Sequence, residues 1–183
     1  MPTVPLRKDS ARTLSTILVA AEELLADNAA ASFAELSVAS GVSPATVYRY
    51  FPDRPSLLVA LMRRSLDEIK TEVDSWEIGP GTFVDLLTLL AAHQARYQGV
   101  LSAVRRGEVD GPELLELESQ TLDLLREPFA VAKHSGRLRA DLEVGDVIPI
   151  LAMIDGALSA VTDRKERERA AARAITIILD GIR

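Results

Sequence analysis

The 183-residue chain contains no cysteine, which excludes disulfides, thiolate metal sites and a cysteine nucleophile. Aromatic residues make up only 4% of it. Their scarcity, beside frequent Ala and Leu, favours helix over sheet. No stretch reaches the roughly 18 consecutive apolar residues that span a bilayer. No apolar segment of signal-peptide type precedes Ser10, so a cytoplasmic location away from membranes is expected. Only two histidines occur, His93 and His134, and they fall on different predicted helices. No HExxH, DxDxDG, GxSxG or phosphate-cradling glycine loop is present, so neither catalysis, nor a metal, nor a cofactor is expected.

What is present is ordinary for a globular chain: 48% hydrophobic and 26% charged residues. The net charge of −6 argues against nucleic acid until its distribution is considered. Met1 to Arg64 carries 7 Lys/Arg against 6 Asp/Glu, whereas the remainder carries 14 against 21. The acidity therefore lies in the C-terminal part, and phosphate contact needs only a local basic patch. Glu113, Glu116, Glu118 and Asp123 read as a solvated acidic helix face, and the alternating charges from Asp163 to Arg169 as a surface pattern.

Apolar residues recur at helical spacing along almost the whole chain, with no convincing alternating strand. The pattern predicts an all-α protein. A first helix runs from about Asp9 or Ser10 to Asn28. A short second helix opens at Ser32, where Ser32 and Glu35 have capping-box spacing, and closes at Gly41. A third is capped by Ser43, carries Pro44 in its first turn and ends at Phe51-Pro52. Asp53 caps a fourth, reaching about Ser75, before the break at Gly79-Pro80-Gly81. Further helices are expected near 82–98, 99–106, 111–134, 144–161 and 164–182. Pro128 and Pro149 should kink or split two of these.

The informative stretch is FAELSVASGVSPATVYRYFPDRPSLL, from Phe33 to Leu58. Two short helices joined by a tight turn at Gly41 fit a helix-turn-helix. The second concentrates Thr46, Tyr48, Arg49 and Tyr50, whose hydroxyls and guanidinium suit phosphates and base edges. Val47 and Phe51 remain to dock that helix on its own domain. The plainer alternative is that the tyrosines are packing aromatics and Arg49 a solvated charge.

Ala20-Ala21, Leu36, Gly41-Val42-Ser43, Thr46-Val47-Tyr48, Tyr50-Phe51, Arg54 and Leu57-Leu58 stand in an order that resembles the TetR family of repressors. The resemblance covers residues 13–60 without a gap. Ser37 and Ser40 replace the usual alanines, Tyr50 a commoner His, and Arg54 the usual Lys. The resemblance implies an N-terminal DNA-binding domain, residues 1–53, and a C-terminal helical body, residues 54–183, for dimerisation and effector binding. It implies phosphate contacts from Thr46, Tyr48, Tyr50 and Arg54, and major-groove contacts from Pro44, Ala45 and Arg49. The function implied is a homodimeric, sequence-specific transcriptional repressor on a palindromic double-stranded operator, released by an unidentified small-molecule effector. Arg7 and Lys8 are candidates for accessory phosphate or minor-groove contacts, or simply part of a tail.

The body supports this from its own residues. Near 144–161, Val147, Leu151, Ile154, Leu158 and Val161 form one apolar stripe, and Ile150, Met153, Ala157 and Ala160 another. The last helix repeats the pattern with Ala171, Ile175, Ile178 and Ile182, flanked by Ala174 and Ile177. A helix apolar on two sides must bury both, against a partner chain or deep within one chain. Leu86, Leu90, His93 and Tyr97 share one helix face, and Leu117 and Thr121 share another with Leu114 and Leu124. A mostly apolar wall with few polar groups is what a small-molecule site needs, although each polar member could equally be a satisfied core residue. Two rival classes stand beside the repressor: a helical ligand-binding adaptor without DNA binding, and an enzyme with a helical body.

Overall fold

The structure, a computed structural model, describes residues 5–182, with side chains from Asp9 onward. Among these residues there are nine α-helices and one short 3-10 turn, and no strand. The helices are α1 (Pro5–Asp27), α2 (Phe33–Ser40), α3 (Pro44–Tyr50), α4 (Arg54–Val73) and α5 (Thr82–Arg96), followed by α6 (Gln98–Arg105), α7 (Pro112–His134), α8 (Val147–Ser159) and α9 (Arg164–Ile182). None is long and apolar enough to cross a membrane. The first helix begins earlier than its spacing predicts, at Pro5, a residue whose fixed φ suits a helix start. The side chains of Arg7 and Lys8 lie outside the described residues.

Local chemistry sets the early boundaries. Ser32 accepts from the Glu35 N–H at 3.3 Å, and the Glu35 carboxylate accepts from the Ser32 N–H at 2.7 Å. The Ser32 N–H, and with it the Ser32 hydroxyl, donates to the Glu35 carboxylate and holds that carboxyl below its ordinary pKa. Gly41 stops α2 at φ 66°, a left-handed conformation that a side chain disfavours. The hydroxyl of Ser37 donates to the Val42 carbonyl at 2.6 Å, so the serine that replaces an expected alanine staples the turn. Asp53 accepts from the Ser56 N–H at 2.9 Å and starts α4.

The two internal prolines, expected to kink or split their helices, interrupt neither: α7 runs on through Pro128 and α8 through Pro149. Pro128 is buried within a continuous α7, where Leu125, Phe129 and Ala132 pack the same segment into the body core. That packing outweighs one lost backbone bond, worth about 3 kcal/mol with its ring clash. Pro149 is the third residue of α8, which the 3-10 turn Val144–Asp146 precedes, so its missing N–H has no intrahelical acceptor to lose.

Two apolar clusters share α4. The N-terminal one joins Ile17, Ala21 and Leu25 of α1 to Leu36, Val47 and Phe51, and to Leu57, Leu58 and Leu61 of α4. It also takes in Tyr97, Val100, Ala103 and Val109 from the region around α6. The body cluster centres on Phe83, Leu87, Leu125, Ile154 and Leu158, and reaches Ile69 at the far end of α4. Through these residues α4 is packed into both clusters at once.

Candidate nucleic-acid interface and cavity

The turn between α2 and α3 projects one face of α3 outward. Val47 is fully buried and Phe51 nearly so, and these two anchor the helix. Pro44, Ala45, Tyr48 and Arg49 are exposed on the opposite side, with Thr46 and Tyr50 half-buried. The Thr46 hydroxyl lies 2.9 Å from the Ser43 hydroxyl, both at the amino end of the helix. Tyr48 is 56% exposed, its ring resting on Phe33 with centroids 5.1 Å apart. The Arg49 guanidinium lies over the Tyr50 ring at 5.3 Å and has no ion-pair partner among the described residues. Stacking of this kind holds an arginine extended without satisfying its donors.

Two of the seven residues expected at DNA are committed within the chain. The Tyr50 hydroxyl meets the Ser10 hydroxyl at 2.8 Å and donates to the Ser10 carbonyl at 3.0 Å, tying α3 to α1. Arg54 donates to the Ala31 carbonyl at 2.5 Å, to the Ala29 carbonyl, and to Glu108 at 2.6 Å. Arg106 shares both Glu108 and the Ala29 carbonyl. Burial opposes ionisation of Glu108, yet the two guanidiniums prevail and hold its carboxyl below the ordinary carboxylate range.

The carboxyl end of α1 is gripped from the body. Gly99 of α6 approaches so closely that a Cβ there would stand 1.8 Å from the Leu25 carbonyl oxygen. Buried Arg167 of α9 donates to the Ala26 carbonyl at 3.0 Å. The other end of α6 is pinned to α8 by the pair Arg105–Asp155.

A cavity of about 140 Å³ opens beside this joint. Of the six residues expected to line a pocket, Leu90, His93, Tyr97, Leu117 and Thr121 do so. Leu86 does not; it is 2% exposed and packed in the body core, one turn too far toward the start of α5. Residues that sequence reasoning missed complete the walls: Met62, Ser65, Leu66 and Ile69 from α4, and Gln94, Val100, Leu101 and Leu151 from three other helices. The one legible signal was Ser65, a polar residue at i, i+4 spacing between buried Leu61 and Ile69.

His93 Nδ1 lies 3.0 Å from the Ser65 hydroxyl, and the imidazole is stacked parallel to the Tyr97 ring to within 5°. Burial lowers the pKa of His93 against the opposing pull of Glu68, favouring the neutral ring. The Tyr97 hydroxyl points out of the cavity and donates to Glu22 of α1 at 3.0 Å and to Glu68 of α4 at 3.3 Å. Burial and those carboxylates push the phenol pKa up, so it remains a donor. Arg64 and Arg96 neutralise the same carboxylates.

Comparison with known proteins gives a consistent picture. Residues 80–183 match the family model "Transcriptional regulator SbtR-like, C-terminal domain", and residues 17–61 match "Bacterial regulatory proteins, tetR family". A 56-residue stretch is 45% identical to the HTH-type transcriptional repressor LfrR of Mycolicibacterium smegmatis, covering 31% of this chain and 30% of that protein. The chain thus spans less than a third of that relative's length in the match. The TetR transcription regulatory protein of Mycobacterium vanbaalenii superposes with a TM-score of 0.67 at 25% identity, over 98% of this chain and 99% of that one. LfrR in complex with proflavine superposes with a TM-score of 0.63 over 94% and 97%, and at 22% identity this is a likeness of fold.

Proposed function

Because this chain belongs to the TetR family of bacterial transcriptional regulators, we propose that it is a homodimeric repressor that leaves its operator when a small molecule fills the cavity. One observation carries the reading: α3 is anchored by Val47 and Phe51 and turns Thr46, Tyr48 and Arg49, which has no ion-pair partner among the described residues, outward. A helix serving only its own core would have no use for such a face. In this reading Thr46 and Tyr48 contact phosphates, while Pro44, Ala45 and Arg49 face the major groove. Tyr50 and Arg54, whose polar atoms are engaged internally, brace the reading head rather than touch DNA. Residues 1–53 act as that head and residues 54–183 as the body, in the cytoplasm, without an enzymatic step.

Dimerisation is supported by the outer faces of α8 and α9. Met153 and Ile177 are 57% and 55% exposed, and Ala152, Gly156, Ala157 and Ala160 beside Met153 permit close helix approach. Two recognition helices entering successive major grooves read half-sites about 34–36 Å apart, hence a palindromic operator. The cavity touches α4 from Met62 to Ile69, and α4 begins at the brace behind α3. A ligand that prefers a displaced α4 lowers DNA affinity by its preference for that state and by no more. The reading is tested by selecting bound DNA from a random pool and titrating the winner at several salt concentrations. A palindrome bound by a dimer, with affinity falling steeply in salt, is expected. Binding by a monomer, or no selectable sequence, would refute it.

A further inference from the structure

We infer that the cavity takes an uncharged, single-ring-sized molecule carrying one N–H or O–H donor, and that Gln94 Oε1 is the acceptor that selects it. The inference rests on the reading of the cavity as an effector site and adds the chemical class of the effector.

Size comes first. A cavity of about 140 Å³ is close to the roughly 150 Å³ that accommodates a benzene ring in an engineered apolar site. Charge comes second. No Lys, Arg, Asp or Glu lines the cavity. Arg64 and Arg96, next in sequence to the lining residues Ser65 and Tyr97, are already paired with Glu22 and Glu68. An anion would find no counter-charge, and a buried unpaired charge is strongly disfavoured. A cation would find the Glu22 and Glu68 carboxylates screened by those arginines and capped by the Tyr97 hydroxyl.

The acceptor comes third. The Gln94 amide is fixed by its Nε2, which donates to the Leu151 carbonyl at 3.1 Å across to α8. Its Oε1 is buried and has no hydrogen-bond partner. Buried polar atoms in native proteins are seldom left so; Gln94 lines the cavity, its oxygen is closed to water while the cavity is unfilled, and a donor that enters must draw the side chain toward itself to match it. Thr121 Oγ1 and His93 Nδ1 in the same wall already have partners: Thr121 donates to the Leu117 carbonyl at 2.8 Å, and His93 is paired with Ser65. The apolar remainder, Met62, Leu66, Leu90 and Leu151 among it, receives the ring.

The test uses four probes of matched size on the full chain: phenol, toluene, benzoate and benzylamine, each titrated by calorimetry or ligand-observed NMR. Wild type should bind phenol best and benzoate and benzylamine not measurably. In Gln94→Leu the phenol-to-toluene preference should fall by about tenfold, the worth of one hydrogen bond. Retained toluene binding by that variant shows that the cavity is intact. Tighter binding of either charged probe, an unchanged preference in Gln94→Leu, or no binding of any probe to wild type would overturn the inference. Phenol binding that leaves affinity for the selected DNA unchanged would leave the ligand class standing and refute the effector reading instead.

Discussion

Gly99→Ala is the substitution through which the joint between reading head and body is best tested. The new Cβ would stand 1.8 Å from the Leu25 oxygen and 2.6 Å from its carbonyl carbon, both backbone atoms of α1. Neither can rotate away. Arg167 on Ala26 and Arg54 and Arg106 on Ala29 restrain the same end of α1, so the strain is shared between α1 and α6. Reaching even a tight 3.0 Å contact requires a separation of about 1.2 Å. Overpacking of this size costs about 1–3 kcal/mol. The helix propensity gained over glycine, up to about 1 kcal/mol, is smaller because residue 99 lies in the first turn of α6. With about 2–4 °C per kcal/mol for a chain of this size, the melting temperature should fall by several degrees. Because α6 also lines the cavity through Val100 and Leu101, the wedge should imitate ligand. DNA affinity in the absence of any small molecule, measured by anisotropy well below the melting temperature, should fall about 5–150-fold, the usual span of coupling energies. A variant that melts with wild type and binds selected DNA equally well would show that the close approach transmits nothing.

Four further outcomes are expected. Arg49→Ala should lose more affinity for the selected sequence than for random DNA, and equal losses on both would remove it from base reading. Arg54→Ala should destabilise the fold by about 1–3 kcal/mol while leaving the salt slope of DNA binding unchanged, since its donors face Ala29, Ala31 and Glu108; a slope reduced by about one would return Arg54 to the phosphate contacts. Met153→Glu, which sets a charge on the exposed apolar face of α8, should shift light scattering from dimer to monomer, and an unchanged mass would place the interface elsewhere. Stability should decline as pH drops through 6.5, because the unfolded chain protonates its histidine before the half-buried His93 does. Glu108 should add a second loss near and below 4.5, where the unfolded carboxyl takes its proton first. A His93→Gln variant should lack the first decline, and an identical pH profile of melting temperature would refute the assignment.

The early helices were legible in the sequence, because their boundaries rest on chemistry within a few residues. Ser32 with Glu35, Gly41, Ser43 with Pro44, and Asp53 all cap as their spacing predicts, and the exposed face of α3 follows from that register. Five of the six expected cavity residues share helix faces that periodicity alone identifies. What a residue does with its polar atoms was not legible where the partner is distant along the chain. Arg54 reads as a cation at the start of a helix, yet its bonds to Ala29, Ala31 and Glu108 depend on loops 23 to 54 residues away. Gly99 carries no mark of its contact with Leu25, and Gln94 none of its unpaired oxygen. Leu86 and Leu90 are indistinguishable by spacing and both join the body core, and only the packing of α4 and α8 against α5 brings Leu90 to the cavity wall as well. Local hydrogen bonds and periodicity fix helices one at a time, whereas cavities and long-range bonds exist only once helices from distant parts of the chain have been brought together.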